Sequence, residues 1–231
     1  MKGAELAFLT LGIGSLALAF ASLLFVGFAF YQKKNEKRFS LLCDFPFELA
    51  GESPNSSPLV RSLVIVFCLA DIFCLAFPLL CGDRFFPVTP LCILALSLSL
   101  LKSISLIGVF FVPAHRFKLH LLCFLVFAMS SCLLAVSCAS AFLNLQVFHQ
   151  VLGVAFAVVE FALGFGLLAS LLNPRLAHWT EMNLEVGEDG SMNPVRPRPF
   201  PLAFTQWFMI LVNLATTVSF LVGLALIILT L

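Results

Sequence analysis

Three ionisable side chains lie inside otherwise apolar stretches of this chain, and they are the residues best placed to do chemistry. Asp71, Lys102 and Glu160 each fall near the middle of a different apolar stretch. A lone charge at the centre of a membrane helix costs at least about 2.5–3.5 kcal/mol. We therefore predict that these charges of mixed sign meet inside a helix bundle, with Lys102 between the two carboxylates. Asn213, in the last apolar stretch, is expected to reach the same layer.

This intramembrane polar layer has two interpretations. It could relay a proton or a cation, or bind a polar group of a substrate. Alternatively, it is an ion pair that only fixes which helices pack together. The sequence shows a single layer of such groups, whereas a proton pathway needs a chain of them, so the structural interpretation is favoured and the relay stays open.

The elements that must hold these residues are transmembrane helices. Hydrophobic residues make up 61% of the 231 residues and charged residues 11%, and the mean hydropathy is +1.08; a soluble domain carries about 25% charged residues. A spanning helix needs roughly 20 mostly apolar residues. Six stretches meet this requirement: 6–31, 59–81, 91–112, 119–142, 148–172 and 202–231. We predict an all-α, polytopic membrane helix bundle that forms a single transmembrane domain over residues 1–231.

The first apolar stretch, the two longer loops and the small residues in the helices each support a separate prediction. The first stretch is expected to be an uncleaved anchor, because its apolar run continues to Phe30, well past the apolar h-region of a typical signal peptide. The two longer loops, 32–58 and 173–201, are rich in proline and glycine and too short to bury a core of their own, so we expect them to be irregular. Small residues in the first and fifth stretches, among them Gly14, Gly153, Gly164 and Gly166, predict close helix packing.

Positive residues concentrate in the loops on one side of the predicted bundle. Nine lie in or next to the first, third and fifth loops: Lys33, Lys34, Lys37, Arg38, Arg116, Lys118, Arg175, Arg196 and Arg198. The other side has only Lys2 and Arg84. Positively charged loops stay cytoplasmic, so both termini are predicted to be extracytoplasmic.

The remaining reactive residues give weak signals. Cys81 and Cys92 bracket one short loop and could form a disulfide if that loop faces an oxidising compartment. The four histidines lack partners at metal-ligand spacing, and no catalytic or phosphate-binding motif is present. We therefore predict no cofactor, no metal and no catalytic residue. A net charge of +1 gives no reason to expect a nucleic-acid partner.

Short motifs at the loop and helix junctions support a family resemblance. The motif positions are Phe45, Pro46 and Phe47 in the first loop, His120 at the start of the fourth helix, and Gln206 and Trp207 at the start of the sixth. Together they resemble the damage-regulated autophagy modulators and their relatives, which include the post-GPI-attachment remodelling factor. The resemblance implies a six-span, non-catalytic membrane protein in trafficking, autophagy or lipid-anchor remodelling. Gln206 stands where the family has glutamate, and the family keeps its termini cytoplasmic, opposite to the charge prediction.

Three functional hypotheses follow. The first is a non-catalytic membrane organiser or regulator that acts through membrane lipids or other membrane proteins, with the first and fifth loops as its contact surfaces. The second is a small ion- or proton-coupled transporter or pore that uses the intramembrane polar layer. The third is a lipid-modifying enzyme, for which His115, His120 and Trp179 are the only candidate residues.

Overall fold

A computed structural model describes most of the chain: residues 2–50, 57–80, 89–113, 116–144, 150–178, 182–186 and 192–230. Cys81, Arg84, His115 and Trp179 lie outside these residues. The predicted disulfide between Cys81 and Cys92 and two candidates for an enzymatic site therefore stay predictions.

The described residues form six long helices and one short one. Their bounds are α1 (Lys2–Asn35), α2 (Pro46–Ala50), α3 (Pro58–Leu80), α4 (Thr89–Phe111), α5 (Phe117–Asn144), α6 (Gln150–Leu171) and α7 (Pro201–Thr230). Every helix except α2 is long and apolar enough to cross a membrane. The six predicted spans are thus confirmed, and with them the all-α, multi-pass bundle.

The six long helices pack in a closed ring. Each contacts the next along the chain (α1 with α3, α3 with α4, and so on to α7), and α7 returns to contact α1. Contacts of α7 with α3 and α5 also place it partly inside the ring. Large apolar side chains such as Phe25 (78% exposed) and Phe165 (71% exposed) point outward, as expected of a surface that faces hydrocarbon rather than water.

The long loops are more ordered than predicted. The first loop contains α2, whose residues Pro46, Phe47, Leu49 and Ala50 are buried and which contacts α1, α3, α4 and α7. The fifth loop contains a 3-10 helix (Pro174–His178) and an antiparallel ribbon of β1 (Asn183–Val186) and β2 (Met192–Val195). Short segments gain this order because they pack on the bundle and on each other, rather than on a core of their own.

Candidate functional site

The centre of the bundle holds a buried ion pair. Lys102 Nζ on α4 lies 2.5 Å from Asp71 Oδ2 on α3, and both side chains are at most 1% exposed. The hydroxyl of Thr217 on α7 donates a hydrogen bond of 2.8 Å to Asp71 Oδ1. Three helices therefore meet at one carboxylate. An ammonium has three donors, and Lys102 makes this one ion pair among the described residues.

Several other buried polar atoms surround this layer without a hydrogen-bond partner in the described part of the chain. They include the Asn213 side-chain amide nitrogen and the hydroxyls of Ser99, Ser103 and Ser131. Such groups are expensive to bury unpaired. Their concentration on α4, α5 and α7 makes the interior of the bundle more polar than the predicted layer of Asp71, Lys102, Glu160 and Asn213 indicated.

Glu160 on α6 is the exception within the predicted layer. Its side chain is fully buried, yet neither carboxylate oxygen has a hydrogen-bond partner in the described ranges. The hydroxyl of Ser219 is its polar neighbour on α7, but that hydroxyl also makes no hydrogen bond there. Lys102 pairs with Asp71 and not with Glu160. The expected arrangement, with Lys102 between two carboxylates, is therefore not the one observed.

The residues that carry the family resemblance converge at one end of the bundle. His120 Nε2 lies 2.9 Å from Gln206 Nε2, and His120 Nδ1 lies 3.1 Å from the carbonyl oxygen of Val112. In the neutral ring, Nδ1 donates to that carbonyl and Nε2 accepts from the Gln206 amide. The rings of Phe45 and Phe47 pack edge-on against His120, with centroids 6.2 and 5.1 Å away.

Trp207 secures the same loop from the other side. Its indole Nε1 donates a hydrogen bond of 2.9 Å to the backbone carbonyl of Asp44, and its ring meets Phe39 and Phe110 edge-on. The first loop is thus held over the end of the bundle by α4, α5 and α7 together. We call this end, formed by the described residues 36–50, 57, 112–113, 116, 172–178, 182–186 and 192–200, the loop face.

Arg196 joins the fifth loop to the first. Its guanidinium makes two hydrogen bonds to the Glu48 carboxylate, of 2.8 and 2.9 Å, and a third of 3.3 Å to the carbonyl of Cys43. It also lies over the rings of Phe45 and Phe200. The hydrogen bonds to Glu48 raise the pKa of Arg196 and outweigh burial, which lowers it, so the guanidinium stays charged. A bidentate pair of this kind fixes orientation as well as contact.

A groove of about 740 Å³ runs between the two loops. Its charged lining residues are Lys37, Arg38, Asp44, Glu48, Arg196 and Arg198. Both carboxylates are engaged: Asp44 by Lys37 at 3.3 Å, and Glu48 by Arg196. Arg38 and Arg198 are exposed and make no ion pair within the described residues. Sequence analysis identified the basic loops but not this groove, because nothing in the sequence showed that the loops touch.

Over the described ranges, no group of three or more His, Cys, Asp or Glu side chains is placed to hold an ion. Cys92 is buried on α4.

Comparison of the chain with known protein families, curated proteins and solved structures finds no match. The class that the fold itself defines is a multi-pass membrane protein with a buried ion pair and an ordered loop face. The resemblance to the damage-regulated autophagy modulators stays a prediction.

Proposed function

We propose that this protein is a non-catalytic membrane organiser or regulator, and that its loop face makes the contacts with lipids or other membrane proteins. The observation that carries the proposal is the docking of the two long loops into one groove with four cations and two carboxylates on its walls. Ordering loops costs conformational entropy. The buried α2 and the pair between Glu48 and Arg196 offset that cost and hold a basic surface next to the bundle.

The orientation of the loop face is part of the proposal. The basic residues of loops one, three and five favour a cytoplasmic loop face, where anionic lipids attract them at roughly 1 kcal/mol per residue. A thiol reagent that cannot cross the membrane tests this at Cys43, which is partly exposed in the first loop. If the reagent labels Cys43 when it is added outside sealed cells, the predicted orientation is wrong, but the description of the fold is unaffected.

The family resemblance fits the same proposal. The motif residues in the first loop, on α5 and on α7 come from distant parts of the sequence and form one cluster that braces the loop face. Membership of the family remains a proposal.

A lipid assay tests the leading function. The full chain is reconstituted in nanodiscs of equal parts phosphatidylglycerol and phosphatidylcholine, extracted gently, and its retained lipids are identified by native mass spectrometry. We expect enrichment of phosphatidylglycerol that falls as salt is raised, because surface attraction is screened within about 10 Å at 0.1 M salt. The proposal is contradicted if two results are found together. The retained lipid has the bulk composition at every salt concentration, and no membrane protein co-purifies from native membranes.

A second candidate function rests on Glu160. A fully buried carboxyl without a partner in the described residues could bind and release a proton, and intramembrane carboxyls commonly mark such paths. This is the specific observation that keeps transport as an alternative.

Glu160→Gln separates the two functions. The hydroxyl of Ser219, its polar neighbour on α7, can donate to a glutamine carbonyl as well as to a carboxyl. We therefore expect folded yield to be kept and stability to change by less than about 1 kcal/mol. Under the leading proposal, liposomes with either protein pass no more protons than empty liposomes in a pH-gradient assay. A proton flux in the parent that Glu160→Gln abolishes, with the variant folded, would establish transport instead.

A further inference from the structure

Four cationic side chains line the groove. Two of them already bind other groups of the protein. Lys37 pairs with Asp44, and its pKa is raised first by a hydrogen bond with Tyr31 and also by the charge of Asp44. Arg196 is held by Glu48 and Cys43. These contacts also neutralise both carboxylates, so neither leaves a negative charge to repel an anion. The groove therefore keeps a formal surplus of two positive charges.

That surplus resides on Arg38 and Arg198. They come from loops one and five, they line the same groove, and neither has an ion-pair partner in the part of the chain described by the structure. Arginine presents a planar fork of donors that matches the oxygens of a phosphate group, and it does so better than a lysine point charge. Two such forks on the walls of one concave site are suited to an anion with several oxygens.

The rest of the lining fits a ligand that is only partly polar. Phe39, Leu42 and Val195 contribute apolar surface, and Leu42 is 50% exposed. The groove volume of about 740 Å³ is within the range of small-molecule sites, roughly 300–1,000 Å³. Most of its lining residues belong to the first loop, which follows the end of α1 at Asn35, so the groove lies next to the end of a membrane span.

We propose that the groove between loops one and five is a binding site for a phosphate ester, in which Arg38 and Arg198 bind the phosphate oxygens and the apolar wall receives the attached glycerol or acyl portion. This proposal rests on the proposed function and deepens it, because it replaces general attraction to anionic lipid with one defined site. The same chemistry is offered by the headgroup of phosphatidic acid and by a soluble phosphate ester.

The site is tested with paired arginine variants of the full chain in a neutral detergent. Arg38→Gln/Arg198→Gln removes the two unpaired forks from the groove. Arg116→Gln/Arg175→Gln removes two exposed arginines from the same face but outside the groove, and serves as the matched control. Binding of short-chain phosphatidic acid, phosphatidylcholine and glycerol 3-phosphate is measured by titration in native mass spectrometry.

We expect the groove variant to bind phosphatidic acid at least about tenfold more weakly than the parent, because two charge-assisted contacts are lost. The control variant is expected to change affinity by less than about threefold. If glycerol 3-phosphate binds as tightly as phosphatidic acid, and with the same dependence on Arg38 and Arg198, the site takes a soluble phosphate ester. If it binds much more weakly, the site takes a lipid headgroup.

Other outcomes would overturn the site. Equal losses in the two double variants would show diffuse attraction to the loop face, which removes the groove site but leaves the proposed function standing. An unchanged affinity in the groove variant would do the same. Absence of any preference of the parent for anionic over zwitterionic lipid would instead count against both. If the glutamine variant does not fold, Arg38→Lys/Arg198→Lys is tested instead. This variant keeps both charges but loses both guanidinium groups, and an affinity equal to that of the parent would also overturn the site.

Discussion

Lys102→Met is expected to destabilise the protein by about 3–5 kcal/mol, because it leaves Asp71 charged and buried without its cation. Both side chains are at most 1% exposed, so solvent cannot replace the lost partner. The double variant Asp71→Asn/Lys102→Met removes both charges, and we expect it to recover most of that loss. Unfolding in mixed micelles, with a rising mole fraction of sodium dodecyl sulfate, measures the difference.

Thr217→Val provides the control for this cycle. It removes the hydroxyl that donates to Asp71 and, over a longer 3.4 Å, to the carbonyl of Asn213, and should cost about 1.5–3 kcal/mol. If Lys102→Met is no less stable than Thr217→Val, the ion pair does not hold the bundle together. A stable double variant would also be the right protein for asking whether the charges are needed for function, since it separates that question from folding.

Gly27→Ala is expected to dislodge α2 from the bundle. A Cβ at Gly27 would lie 2.6 Å from Cγ of Leu49, and Leu49 is fully buried on α2, so it has no open space to move into. Overpacking of this kind costs about 1–3 kcal/mol. Gly14→Ala and Gly166→Ala are matched controls, because a Cβ there meets nothing within 4 Å; they should be neutral or slightly stabilising.

A second substitution tests the mechanism. Leu49→Ala makes room for the new methyl group, so the double variant Gly27→Ala/Leu49→Ala should lose less than the two single losses added together. Thermal unfolding in detergent measures stability, and proteolysis within residues 36–57 reports whether the first loop has come away. A Gly27→Ala protein with parental stability and an intact first loop would show that α2 does not pack tightly on α1.

The membrane spans could be predicted because long apolar runs leave few alternatives. Only the ends moved: α1 begins at Lys2 and ends at Asn35, beyond the predicted 6–31. Glu5 lies in its first turn and Lys33 and Lys34 in its last, where charges suit the helix dipole and reach the interface. Composition alone marks such residues as breaks in the apolar run.

The partners inside the bundle could be predicted only in part. Asp71 and Lys102 form an ion pair, but Glu160 does not pair with Lys102. Helices that are apolar on all sides carry no amphipathic pattern that shows which face points inward, so depth could be predicted and rotation could not. For the same reason, the sequence could not show that Gly153 and Gly164 pack closely on α5, whereas a Cβ at Gly14 or Gly166 would meet nothing within 4 Å.

The order of the loop face could not be predicted. It depends on Glu48 meeting Arg196, which is 148 residues away, and on Phe47, His120 and Gln206 converging from three segments. The family resemblance identified most of these positions as special without showing that they touch. Glu48 lies on α2, whose other residues are buried. A carboxylate in such a position needs a cation from another segment, and Arg196 of the fifth loop supplies it.

The position of the ion pair on consecutive spans has a consequence for biogenesis. Because Asp71 and Lys102 lie on α3 and α4, they can neutralise each other as soon as these two helices leave the translocon as a hairpin. Neither charge then has to wait in lipid for a distant partner. Thr217 on α7, which is synthesised after α3 and α4, completes the site afterwards. Its loss should therefore affect the finished protein more than its insertion.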